Sequence, residues 1–239
     1  MLSNIQPENI LFVDIETVSA VNTFQELPEP IRKLWDKKSA YFRKADETAE
    51  SVYGRAGIYA EFGKIVCISS GIVIKQENTR GFRIKSFFGH DEKVLLGEFS
   101  EMLAKFTNSE DKQLCGHNGK EFDFPYIARR MLINGLKLPV LLDTAGKKPW
   151  EVKHLDTMEL WKFGDYKNYT SLELLAHIFK IPTPKDDIDG SMVGTIYWQE
   201  NDLDRIKEYC QKDVLTTAQL FLKYKGLPLI EEENVEKLN

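Results

Sequence analysis

The chain has 239 residues, of which 42% are hydrophobic and 29% charged, enough for one substantial core in a single domain spanning 1–239. Its formal net charge of -5 argues against a protein that holds polyanions by a global basic field, so a nucleic-acid partner must be met by local lysine and arginine groups or through bound cations. The cysteines Cys67, Cys115 and Cys210 are odd in number, widely spaced and without a C-x-x-C, which argues against a disulfide framework or a zinc knuckle and for buried free thiols in a reducing cytoplasm. The start, MLSNIQPENI, lacks a basic stretch followed by an apolar one, so no signal peptide is expected. The longest apolar run, Ile65 to Ile74, is too short to span a bilayer, so no membrane partner is expected.

Ile10 to Ile15 is a short apolar run that reads as a buried strand, with Asp14 and Glu16 at its C-terminal end. Residues 22–61 open with Leu27-Pro28-Glu29-Pro30 and scatter basic residues among Ile31, Leu34, Trp35, Tyr41 and Phe42. Those aromatics need burial, so the segment is a helical insertion between two strands and not a linker. Lys64 to Ile74 and Phe82 to Phe88 predict a β-hairpin turning near Glu77 to Gly81. Asp91 caps a helix through Leu95, Leu96, Phe99, Leu103 and Phe106. Gln113 to His117 predicts a short strand and Phe124 to Asn134 a helix stopped at Gly135. Leu138 to Leu142 and Val152 to Asp156 are weaker strand candidates around a turn at Lys147 to Pro149. Ser171 caps a helix ending before Pro182, a shorter helix follows Asp189-Gly190-Ser191, and the last strong element is a helix from Leu203 to Tyr224. The acidic tail 231–239 is expected to fray. Three early strands followed by strands alternating with helices predict one α/β domain on a mixed central sheet.

Three patches carry chemistry. Asp14 and Glu16 are two apart in a strand, so both carboxylates project from one face of an otherwise apolar run, a costly placement unless something neutralises them. Alone, the pair also reads as a cap or a salt-bridged couple. In GHNGKEFD, a strand passes through a glycine-rich loop to a helix that begins after Asp123. Asp123 alone reads as an N-cap. Asn118 and Lys120 suit contacts to a sugar or phosphate, Phe122 suits stacking on a base, and His117 reads as a structural hydrogen-bonding residue. Tyr209 and Asp213 are four apart on the last helix and share a face. Asp213 there reads equally as the partner of a nearby lysine. Lys147, Lys148 and Lys153 read as solvated charges, while Arg129 and Arg130 divide evenly between phosphate contact and pairing with a helix acid.

The three patches match, in order, the D-x-E, N-x3-F-D and Y-x3-D motifs, so the chain resembles the DEDD 3′–5′ exonucleases, and Tyr209 places it with their DEDDy branch. The text DFPYIARR and KEYCQKDVLTTAQLFL is closest to stand-alone bacterial proteins related to the proofreading domain of family B DNA polymerases. The resemblance runs from about Ile10 to Tyr224, with 22–61 outside the motif pattern. It implies a ribonuclease-H-like fold, with a mixed five-stranded sheet flanked by helices. It implies hydrolysis of the terminal phosphodiester at a 3′ end of single-stranded DNA, or at frayed ends, to nucleoside monophosphates. The cofactor implied is Mg²⁺ or Mn²⁺, two ions per site. Asp14 would bridge both ions, Glu16 and Asp213 would complete the site of the water-activating ion, and Asp123 would hold the second through water. Tyr209 would orient the attacking water. Asn118 and Phe122, with Ile15, Thr17 and Lys120, would contact the terminal nucleotide. The alternatives are an exoribonuclease of the same fold and a catalytically silent nucleic-acid-binding module. No protein partner is implied.

Overall fold

The computed structural model describes residues 2–76, 79–107, 111–165, 169–182 and 188–238. Its sheet is built from β1 (Ile10–Ser19), β2 (Gly63–Lys75), β3 (Arg80–Phe88), β4 (Gln113–Gly116), β5 (Leu155–Asp156) and β6 (Val235–Leu238), in the spatial order β5-β4-β1-β2-β3-β6. The β1–β2 and β2–β3 pairs are antiparallel, and β1–β4, β4–β5 and β3–β6 are parallel, so β2 alone opposes the common direction. The helices are α1 (Glu29–Ser39), α2 (Glu92–Phe106), α3 (Asp123–Ile133), α4 (Thr157–Lys162), α5 (Leu172–Ile178), α6 (Val193–Thr195, continued by a π-turn to Glu200) and α7 (Leu203–Tyr224). This is the mixed α/β, ribonuclease-H-like arrangement that the sequence implies.

The period of two along β1 splits the core. Leu11, Val13 and Ile15 join the layer formed with α2 and α3, where Leu95, Phe99, Ile127 and Met131 are buried. Ile10 and Phe12 point to the other face, against Val214, Ala218 and Phe221 of α7, with the Phe12 and Phe221 rings 5.8 Å apart edge to face. Asp14 and Glu16 share that second face by parity. Further along it, Val18 and Val66 pack with Ile206 and Cys210 from the first turns of α7. The two carboxylates therefore sit in a gap between two apolar contacts of one helix.

Several expectations are corrected. β1 does not end at Ile15, because its ladder with β2 continues through Thr17, Val18 and Ser19, so the carboxylates lie mid-strand. The register shifts between Glu16 and Thr17, leaving Val66 as the extra residue of a bulge. Val66 and Cys67 consequently both face α7, while Ile65 and Ile68 face α2 and α3. The sheet has six strands and not five, because the tail expected to fray runs parallel to β3, and Arg83 Nε donates to Glu236 Oε2 at 2.7 Å across the pair. Leu138 to Leu142 is turn and coil, packing Leu138, Leu141 and Leu142 into the core without a strand partner. Glu77 and Asn78 of the expected hairpin turn, and Asn239 of the tail, lie outside the described residues. All three cysteines are free and buried. No helix among the described residues is long and apolar enough to cross a membrane.

Residues 22–61 pack around Trp35, which is fully buried and meets Phe42, Tyr53, Tyr59 and Phe62 edge to face at 5.3–6.0 Å. Each such pair contributes about 0.5–1.5 kcal/mol beyond area burial. The Trp35 indole also donates to the Ala49 carbonyl at 2.8 Å. The segment closes with a 3-10 stretch, Tyr53–Ile58, that lies directly on β1. A Cβ on Gly57 would stand 3.1–3.3 Å from the Val18 and Ser19 backbone, so any larger residue would push the two segments apart by a few tenths of an ångström. The Tyr126 hydroxyl of α3 donates to the Gly57 carbonyl at 2.7 Å and locks the stretch in place.

Candidate active site

The three sequence patches converge. Asp14 and Glu16 come from β1, Asp123 from the N-terminus of α3, and Asp213 with Tyr209 from α7. Each carboxylate feels the others. Burial first, then Asp123, Glu16 and Asp213, push Asp14 well above the ordinary carboxylate range, opposed by a hydrogen bond from Cys210. Glu16 is raised by burial, then by Asp213, the Cys67 thiol and Asp123. Burial pushes Asp123 up to about 7, with its backbone hydrogen bonds, including one from Ile15, pulling the other way.

Glu16 is the sharpest case. It is 7% exposed, and among the described residues no hydrogen bond reaches its carboxylate. A carboxylate so nearly buried beside three other acids must either hold its proton or meet a cation. The donor set is hard oxygen, which suits Mg²⁺ or Mn²⁺. Asp14, Glu16 and Cys210 each offer a ligand atom within 4.8 Å of the other two. The Cys210 thiol is itself held protonated, first by burial, and it donates to Asp14 Oδ2 at 3.3 Å and to the Asp14 carbonyl at 3.4 Å. The oxygens are thus the ligands that fit a hard ion, and Cys210 steadies one of them.

The glycine-rich loop positions Asp123. A Cβ on Gly116 would lie 3.0 Å from Gly119 Cα, so the two glycines let the chain fold back on itself more closely than larger residues would without a shift. Asn118 turns through the left-handed region at φ 64°. Asp123 Oδ1 then accepts from the Ile15 backbone N–H at 3.0 Å, joining the second patch to the first.

The residue that organises this loop is one the sequence reading passed over as part of a weak strand. Asp156 is buried and accepts from the backbone N–H groups of Asn118 at 2.9 Å, Lys120 at 3.0 Å, Met158 at 3.0 Å and Glu159 at 3.3 Å. Its placement before Thr157-Met158-Glu159 marks it as a helix cap, but its grip on the loop is a contact across 38 residues that no local pattern reveals. Asp156→Ala is expected to cost about 3 kcal/mol or more, because several buried donors lose a charged acceptor together. Thermal denaturation checks this, with a fall of roughly 6–12 °C expected for a chain of this size and no change contradicting it.

The other predicted residues divide. Ile15, Glu16, Thr17 and Phe122 line a cleft of about 630 Å³ beside the carboxylates, with Arg55 and Gly57 on one wall and Trp198 on the other. Asn118 and Lys120 are outside that lining. Lys120 Nζ pairs with Glu159 Oε2 at 2.6 Å, and the Asn118 side-chain oxygen is buried without a hydrogen-bond partner among the described residues. His117 is structural, with Nδ1 2.9 Å from the Thr157 hydroxyl and Nε2 2.9 Å from the Thr170 carbonyl, and burial lowers its pKa so that it stays neutral. Arg130 is engaged within the protein, donating to Glu92 through Nε at 2.8 Å and to the Ala60 carbonyl at 2.8 Å. Lys147, Lys148 and Lys153 are exposed, as is Arg129.

The Tyr209 hydroxyl is hydrogen-bonded to Asp213, and its pKa is raised by burial first, then by Asp213, Glu16 and Asp14. It therefore keeps its proton at any working pH and serves as a donor, not a base.

A family model described as "Predicted 3'-5' exonuclease related to the exonuclease domain of PolB" matches residues 58–235. That stretch holds Asp123, Tyr209 and Asp213, while Asp14, Glu16 and most of the 22–61 segment precede it. No curated protein matches the chain significantly.

Proposed function

The chain belongs to the family of predicted 3′-5′ exonucleases related to the exonuclease domain of PolB, and from that premise we propose that it is a DEDDy-type, two-metal 3′–5′ exonuclease that removes nucleoside monophosphates from single-stranded DNA. The observation that carries this reading is the meeting of Asp14, Glu16, Asp123 and Asp213, from three elements, around a buried Glu16 whose carboxylate takes no hydrogen bond among the described residues.

Mg²⁺ or Mn²⁺ held by these four carboxylates would supply positive charge to activate the attacking water and to stabilise the leaving 3′ oxygen. The protein's own contribution is placement. The Ile15 N–H and the Cys210 thiol fix one oxygen each of Asp123 and Asp14, so two of the four acids are oriented before any ligand arrives. Tyr209 gives its one O–H proton to a hydrogen bond with Asp213, which leaves the hydroxyl oxygen to accept from the attacking water and turn that water's lone pair toward phosphorus. Ile15, Thr17 and Phe122 form the floor on which the terminal sugar and base rest. The Phe122 ring, 5.3 Å from the Tyr126 ring, is held in place to stack on that base.

Tyr209→Phe removes one hydrogen bond to a charged site and keeps the ring. Turnover is expected to fall about 10- to 100-fold, with metal affinity little changed. Single-turnover kinetics and metal titration of the same variant check this, and an unchanged single-turnover rate removes the hydroxyl from the mechanism. The proposed substrate is tested by offering matched DNA and RNA single strands with Mg²⁺ or Mn²⁺. Faster loss of the RNA would transfer the reading to an exoribonuclease, and loss of neither would leave a binding module.

A further inference from the structure

The cleft beside Glu16 has a wall that the matched family stretch almost entirely lacks. It is built by the end of the 22–61 segment, where Gly57 touches the Val18 backbone and Tyr126 fixes the Gly57 carbonyl. Val18 is two residues past Glu16, about 7 Å along the strand. The wall is therefore rigid, close to the carboxylates, and set by packing around Trp35 that owes nothing to a ligand.

Arg55 sits on this wall, two residues from Gly57, and lines the cleft. Its guanidinium lies over the Phe42 ring, 4.4 Å from the centroid. Stacking holds the plane of the group while leaving its N–H edges free. Among the described residues no carboxylate pairs with Arg55, although the chain is acidic overall. Arg55 is exposed, its guanidinium rests on one ring, and it lines a cleft of about 630 Å³, within the ~300–1,000 Å³ range of small-ligand pockets, so its free N–H edges can meet two acceptors side by side.

We propose that the 22–61 segment forms a recognition wall for the last nucleotide of the substrate, with Arg55 donating its paired N–H groups to a twin acceptor on that nucleotide. This rests on the nuclease reading, since a nucleotide whose 5′ phosphate lies at the carboxylates extends its sugar and base into this cleft. Groups on a terminal nucleotide that present such a pair include the O6 and N7 edge of guanine and a 3′-terminal phosphate. Arg55 is a specificity-determining residue and takes no part in bond cleavage.

The test uses the full chain as wild type, Arg55→Ala and Arg55→Lys, with 5′-labelled single strands differing only at the 3′ end. One arm compares a guanine end with an abasic end, the other a 3′-phosphate end with a 3′-hydroxyl end. Wild type is expected to prefer the guanine or the phosphate in at least one arm, and Arg55→Ala to reduce that ratio of kcat/KM about tenfold, mainly through KM. Arg55→Lys keeps the charge without the fork and is expected to recover only part of the ratio. A wild-type enzyme without preference in either arm, or ratios unchanged in Arg55→Ala, overturns the proposal.

A second readout is independent of hydrolysis. Calorimetric titration with deoxyguanosine 5′-monophosphate, deoxyguanosine 3′,5′-bisphosphate and deoxyribose 5-phosphate should show about tenfold weaker binding of one of the first two by Arg55→Ala. Hydrolysis by wild type with unchanged ratios and affinities sinks the wall and leaves the nuclease standing. Selective nucleotide binding lost in Arg55→Ala, without hydrolysis by wild type, keeps the wall and sinks the nuclease. Neither hydrolysis nor binding sinks both.

Discussion

Asp213→Ala is expected to lower hydrolysis by roughly three orders of magnitude or more while the chain stays folded. Removing a single neutral donor from a preorganised electrostatic site costs about 10²–10³ in turnover. Asp213 does more in this proposal, because it supplies a full negative charge to the cation site and is the hydrogen-bond partner of Tyr209. Its loss weakens the cation's hold and releases the tyrosine together. The fold should survive because Asp213 repels Asp14, Glu16 and Asp123, and taking away one of four crowded like charges relieves the other three. Asp14→Ala should match it in activity. It should cost more in stability, since the Cys210 thiol then keeps only the main-chain oxygen of residue 14 as acceptor. Labelled-oligonucleotide assays and thermal melts of both variants check this, and full activity of either in metal-replete buffer removes that carboxylate from the site.

The second large effect is on stability against pH and metal. Asp123 is raised from an ordinary value of 3.8 to about 7, and Asp14 and Glu16 are also raised, all with burial as the leading cause. An acid whose folded pKa is raised binds its proton more tightly in the native state. Native protein then carries more protons than unfolded chain across the window between the two values, and stability falls as pH rises through it. For Asp123 that window runs from about pH 4 to about pH 7. The metal-free wild type should lose stability there relative to Asp123→Asn, which cannot ionise yet still offers an oxygen to the Ile15 N–H. A divalent ion reverses the trend, because its ligands must be deprotonated. At an ion concentration about 100 times Kd the stabilisation is about 2.7 kcal/mol, or roughly 5–10 °C in a chain of this size. The shift on adding Mn²⁺ should be larger at pH 8 than at pH 5 and much reduced in Asp123→Asn. Equal shifts at both pH values, or none, would contradict a carboxylate cation site.

What the sequence made legible, and what it did not, follows from how local each cause is. The helix Leu203–Tyr224 was readable to its ends because its apolar stripe is periodic and Asp202 caps it, accepting from the Arg205 N–H at 3.0 Å. The shared face of Asp14 and Glu16 was readable from strand parity alone. Cys210 was readable only as a buried thiol. Its place four residues after Ile206 and four before Val214 marks the sheet-facing stripe of the helix, but the contact with Asp14 spans 196 residues. The true end of β1 was hidden because Thr17, Val18 and Ser19 are held by their pairing with Ile65, Lys64 and Gly63. The tail strand was hidden for the same reason, since its partner Phe82–Lys85 lies some 150 residues earlier. Arg130 balanced between two readings because its partner Glu92 is on another helix, 38 residues away. In the 22–61 segment the need to bury Trp35 was plain from composition. That its last turn would rest closely on Val18 is a tertiary contact, eased by the missing Cβ at Gly57, that no local pattern reveals.

The most direct measurement of the central claim uses single-stranded DNA and RNA oligonucleotides labelled at the 3′ or the 5′ end, incubated with the purified chain with and without Mn²⁺. The proposal predicts immediate release of the 3′ label as a mononucleotide, a descending ladder of 5′-labelled products, faster loss of DNA than of RNA, and no reaction without the ion. Release of the 5′ label as the first mononucleotide, hydrolysis independent of metal, or no hydrolysis of either strand would contradict it.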